Sequence, residues 1–173
     1  MAEKALQLDP ECLPTHSILG FLLLNYDFNF SQARKEFEKV LLLNPGDSTA
    51  RIFLARTYAL YGDLARAKEE GKIATEYDPL SRLAATWKAV IHWLSGQEKE
   101  AFIAIDEAIR LNPSPLGPFF KIVFLINAQR FDDAEKELIA IGQAMLKEPL
   151  LKAQWAYIQA KRGQQGGCEQ NFS

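Results

Sequence analysis

Apolar residues recur three and four apart along most of this chain, and proline cuts the runs they make at nearly even intervals. Between Ser31 and Leu43, for example, Ala33, Phe37, Val40 and Leu41, continued by Asn44, line one side, while Arg34, Lys35, Glu38 and Lys39 cover the other. That spacing predicts an amphipathic helix. The interrupting pairs are Asp9-Pro10, Asn44-Pro45, Asp78-Pro79, Asn112-Pro113 and Glu148-Pro149, at successive spacings of 35, 34, 34 and 36 residues. A period near 34 with such punctuation marks stacked helical hairpins, each unit reading helix A, short turn, helix B, turn with proline.

Small residues keep the same phase. Ala33, Ala67 and Ala101 lie twelve residues before a proline, and Val40, Ala74 and Ala108 lie five before it. Two helices approach closely only where side chains are small, so Ala33, Ala67, Ala101 and Ala134 are expected at hairpin contacts. Gly62 and Gly96 suit the positive φ at which helix A ends, and proline cannot continue helix B. The predicted pairs are 14–26 with 31–43, 48–61 with 64–77, 82–94 with 98–111, and 115–128 with 132–146. In domain terms, residues 1–10 read as the tail of a truncated preceding repeat. Residues 11–45, 46–79, 80–113 and 114–149 read as four repeats, 150–162 as a capping helix and 163–173 as a flexible tail. Lys152, Gln154, Gln159, Lys161 and Arg162 are expected to face solvent on the capping helix. Ser81 is placed to cap its helix, Ser114-Pro115 reads as a cap followed by proline at the first helical position, and Asp132 with Glu135 reads as a capping box.

This register resembles the tetratricopeptide repeat. The second unit carries Leu54-Ala55, Tyr58, Gly62, Ala67, Ala74 and Pro79 in phase, and departs at Gly71, where an aromatic is usual. The first keeps Leu19-Gly20, Ala33, Phe37 and Pro45, with one residue inserted near Phe28. The third keeps Ala89, Gly96, Ala101, Ala108 and Pro113. The fourth has Lys121 where leucine is expected, although Phe131, Ala134 and Leu138 fit. The resemblance implies an all-α, right-handed α-solenoid of about four hairpins, with a partial helix before them and a capping helix after. It also implies a concave groove lined by A helices. Carried onto this chain, the groove candidates are Ile52, Arg56, Leu60, Thr86, Val90, Trp93, Phe119, Val123, Ile126 and Asn127. That groove is mostly apolar. The Lys and Asn clamp with which chaperone adaptors of this family hold a terminal carboxylate is absent.

Composition narrows the field further. Of 173 residues, 48% are apolar and 24% charged, with a net charge of −2, so wholesale disorder is not expected. No block of five or more Lys and Arg appears, so no nucleic-acid partner is expected. No apolar run approaches the ~20 residues that span a bilayer, and no basic segment precedes an apolar core at the start. Cys12 and Cys168 have no CxxC spacing, which suits a reduced, cytoplasmic setting without a disulfide. His16 and His92, the two histidines, fall in non-equivalent packing slots. A zinc site wants more ligands at short spacing, and no converging acid, base and nucleophile is visible. No catalytic residue, cofactor or metal is therefore expected.

The expected function is a non-catalytic scaffold that binds a protein or peptide, including a second copy of itself, through the A-helix groove. The alternatives are a sensory or regulatory module of a larger bacterial signalling protein, a transcription regulator, cyclase or kinase, or a self-association module. The segment Tyr26-Asp27-Phe28-Asn29-Phe30, which resembles the aromatic-acidic turn of arrays in such signalling proteins, motivates the first.

Overall fold

The computed structural model describes residues 12–111, 114–141 and 149–161, with Leu150 in backbone only. The expected stub at 1–8, the last residues of the helix ending at 146, the tail at 163–173 and Cys168 lie outside them. The described residues form α-helices and no strand: α1 (Leu13–Asn25), α2 (Phe30–Leu43), α3 (Ser48–Leu60), α4 (Leu64–Tyr77), α5 (Arg82–Leu94), α6 (Glu98–Leu111), α7 (Leu116–Asn127), α8 (Phe131–Ile141) and α9 (Pro149–Lys161). The fold is an all-α helical repeat of the solenoid class, divided into two compact units at Ala101/Phe102.

In the first unit, α1 pairs with α2 and α3 with α4. Each A helix also touches the next, α1 against α3 and α3 against α5. Side chains close the helix starts. Asn29, Asp47, Asp63 and Ser81 accept from the backbone N–H of Gln32, Ala50, Arg66 and Ala84 at 2.9–3.3 Å. Each such cap is worth ~1 kcal/mol. The core begins with Leu24, Ala33, Phe37 and Val40 packed beside Ala50 and Leu54, and continues through Ala55, Ala67 and Ile91. Ala33, Ala67, Ala101 and Ala134 have no solvent exposure, as hairpin contacts require. Arg51 fastens the Pro45 corner. Its Nε and Nη2 donate to the Pro45 carbonyl at 3.1 and 2.8 Å, and Nη1 reaches Glu70 on α4 at 2.8 Å.

All four A–B turns place one residue in the left-handed region: Phe28 (φ 52°), Gly62 (φ 81°), Gly96 (φ 71°) and Gln129 (φ 60°). The residue inserted in the first repeat falls in this turn, which spans 26–29 where the others have three residues. Phe28 holds this backbone without glycine's freedom; its ring is exposed and meets Phe30 edge-on at 6.5 Å.

Three local expectations change. Asn44 does not extend the buried stripe of α2; it is exposed and ends the helix. Helix α7 starts at Leu116 with Pro115 at the cap and no side-chain cap bond, so Ser114 does not cap it. Helix α8 starts at Phe131, which places Asp132 in the first turn, where a carboxylate complements the helix dipole.

In the second unit, α7, α8 and α9 pack around Ile122, Leu125, Leu138, Leu151, Trp155 and Ile158. Gln154 and Gln159, expected at the surface, are buried. Gln154 donates to the Phe119 carbonyl at 3.1 Å and Gln159 to Glu135 at 3.0 Å. These amides occupy the faces of α9 that meet α7 and α8.

Lys121, the residue that breaks the fourth repeat's pattern, has a reason here. Its ammonium lies 2.9 Å from Asp106 and is also held by Glu137. Burial lowers its pKa, but hydrogen bonds to Glu137 and Asp106 outweigh that and raise it overall. A raised lysine pKa contributes stability that is full below the unfolded value and is lost as pH climbs through the folded one. Lys121→Met should therefore cost about 1 kcal/mol at neutral pH, the pair being partly exposed. In urea unfolding followed by fluorescence, the difference from wild type should narrow at pH values above the ordinary lysine range. A difference unchanged by alkaline pH would show that the two ion pairs contribute nothing.

Candidate functional site

The A helices of the first unit carry the candidate surface. Position by position, the residues divide. Ile52, Thr86 and Val90 are 0%, 3% and 7% exposed, so they are core and not contact residues. Ile52 packs with Ala74 and Ala84, because each A helix is covered by the next and its inner positions are lost to that seam. Leu60 is half exposed, and Arg56 and Trp93 are partly exposed. In the second unit, Phe119 and Ile126 pack partly on the core, Val123 is partly buried, and Asn127 is exposed with its amide turned back to the Val123 carbonyl at 2.9 Å.

Arg56 organises the first unit's surface. Its Nη1 donates to Asn25 Oδ1 on α1 at 2.7 Å, and its guanidinium lies 4.8 Å from the centre of the Trp87 ring on α5. One side chain on α3 thus bridges three successive A helices. Burial pulls its pKa below the usual arginine value, but it remains charged at neutral pH. No carboxylate among the described residues pairs with it, whereas Arg51 on the same helix has Glu70 at 2.8 Å. The same three helices carry exposed apolar side chains. Phe21, Leu60 and Leu94 are 39%, 51% and 50% exposed, and Phe21 meets Phe53 edge-on at 5.6 Å.

Asn25 and Trp87 are not among the groove positions read from the sequence. Asn25 stands one helical turn after Phe21, a spacing that puts both on one face of α1. That signal was available in the sequence.

Both histidines are hydrogen-bonded within the fold. His16 is buried, with Nδ1 2.5 Å from Glu36, and His92 Nδ1 lies 3.0 Å from Gln97 Oε1. Cys12 is a free thiol that accepts from the Thr15 hydroxyl at 3.0 Å. Among the described residues no cluster of three or more metal-ligating side chains occurs, and no helix is long and apolar enough to cross a membrane.

Hairpins stacked at a fixed period, with an A-helix face left to solvent, define a helical repeat protein. Residues 24–91 match the profile of the tetratricopeptide repeat, and solved structures of tetratricopeptide-repeat proteins share the fold. A thermophilic TPR protein of Thermus thermophilus superposes with a TM-score of 0.77 at 22% identity, over 88% of this chain and 84% of that one. YrrB, described as a TPR protein with an unusual peptide-binding site, gives 0.61 at 16% identity over 97% and 87%. PilW, a type IV pilus biogenesis factor, gives 0.77 at 16% identity over 95% and 76%. No curated protein sequence matches the chain significantly.

Proposed function

We propose that the chain is a non-catalytic scaffold that binds a polypeptide along the A-helix surface of its first unit, and that the bound segment presents an acidic residue between apolar ones. The observation that carries this reading is Arg56, a half-buried cation without a carboxylate among the described residues, held across three A helices by Asn25 and Trp87. An ionised acceptor suits such a donor better than water does, since charge-assisted bonds in a partly dry setting are the stronger ones. Phe21, Leu60 and Leu94 supply apolar contact on either side. YrrB, a relative in fold, has a peptide-binding site, which supports the mode of use.

A displayed library of random peptides selected on the purified chain tests the idea. Enriched sequences should share an Asp or Glu flanked by aromatic or aliphatic residues. Arg56→Glu should weaken their binding at least tenfold, about 1.4 kcal/mol, with unchanged helicity by circular dichroism. Enrichment of peptides without acidic residues, or equal binding by Arg56→Glu, would remove the reading.

A further inference from the structure

A second feature of the first unit lies between α4 and α5 and shares no residue with the surface around Arg56. Gly71 sits in the middle of α4, where glycine costs ~1 kcal/mol relative to alanine. Close packing does not demand it. A Cβ built there would meet only Ile91 Cδ1, at 3.4 Å, an ordinary contact. This is also the position at which the repeat pattern calls for an aromatic ring.

A cleft of about 400 Å³ lies at this position, within the ~300–1,000 Å³ range of small-ligand sites. Gly71 and Ile91, both buried, line it, with Lys68, Lys72 and Lys88 among its other walls. The carboxylate among its lining residues, Glu76, lies 3.8 Å from Lys72, so Lys68 and Lys88 exceed the local acids. The Thr75 hydroxyl is spent on the Gly71 carbonyl at 2.9 Å, and His92 is held by Gln97. What remains is a partly apolar cleft with room for a ring and a cationic surround.

We propose that this cleft binds a small aromatic carboxylate, its ring lying on Gly71 and Ile91 and its carboxylate met by Lys68 and Lys88. The ring takes the place of the side chain that the repeat lacks, and withdraws its own apolar surface from water. The carboxylate gains two partly screened charge contacts, which select acids over neutral analogues.

The test uses the full chain, labelled at isoleucine methyls and backbone amides, titrated with 3-phenylpropionate, 3-phenylpropionamide and hexanoate. The acid with the ring should shift the Ile91 methyl and Gly71 amide saturably, and more tightly than either control. The variant Lys68→Gln, Lys88→Gln, changed only at exposed positions, should weaken the acid about tenfold and leave the amide within about twofold. Gly71→Phe, which refills the cleft, should abolish the shifts; if that variant loses its helical circular dichroism, the lysine variant decides alone. No saturable shift with 3-phenylpropionate, equal binding of its amide, or indifference to the lysine changes would overturn the proposal. Neither result touches peptide selection at Arg56, so the two readings fail separately.

Discussion

Replacing Phe37 by alanine is expected to cost the first unit about 3–5 kcal/mol. The ring has no solvent exposure, stacks on Phe53 with centroids 5.4 Å apart and planes 19° from parallel, and lies against Gly20. Its removal takes away a fully buried aromatic side chain at the point where α1, α2 and α3 meet, and α-helical walls cannot collapse far enough to close the gap. In a linear array each repeat contacts only its neighbours, so the loss should concentrate there. Hydrogen exchange should therefore accelerate most in α1, α2 and α3, with less change in α9. Urea unfolding that shows a cost under about 1 kcal/mol would mean that Phe37 is not packed as described.

The second large effect comes from the other side of the same contact. A Cβ added at Gly20 would stand 2.7 Å from Phe37 Cε1 and 2.9 Å from Cζ, closer than real side chains come. Gly20→Val is expected to destabilise by about 1–3 kcal/mol through overpacking. Gly20→Ala is a milder probe, because alanine recovers ~1 kcal/mol of helix propensity while meeting the ring. The decisive measurement is the double variant. With Phe37→Leu, which withdraws the ring edge, Gly20→Ala should become neutral or stabilising, giving a coupling of at least ~1 kcal/mol between the two positions. Additive effects would place the origin of the glycine's role elsewhere.

Much of this fold could be read from residue order because stacking depends on a few small side chains at fixed spacing. Ala33, Ala67 and Ala134 cannot be enlarged without parting two helices, and the prolines cannot be carried inside one. Those demands leave a periodic trace. The turn backbone left a trace only where glycine supplies it, at Gly62 and Gly96; Phe28 and Gln129 reach the same left-handed geometry with ordinary side chains and gave no sign. The candidate surface was half legible. Family position identified the A-helix face, and Arg56 and Leu60 are accessible on it. Ile52, Thr86 and Val90 are not, because the closeness of one A helix to the next depends on side chains from both, which no single repeat reveals. Gly71 was visible as a departure from pattern, but the cleft it lines required the position of Ile91.

Every helix in the first unit packs against helices one or two places away in sequence. Such wiring keeps the mean separation of touching residues short, and chains of low contact order reach their native arrangement quickly. A newly made polypeptide with this layout can settle one pair of helices onto the last while its remainder is still being synthesised. Little of its oily surface would then wait uncovered for a distant segment to arrive.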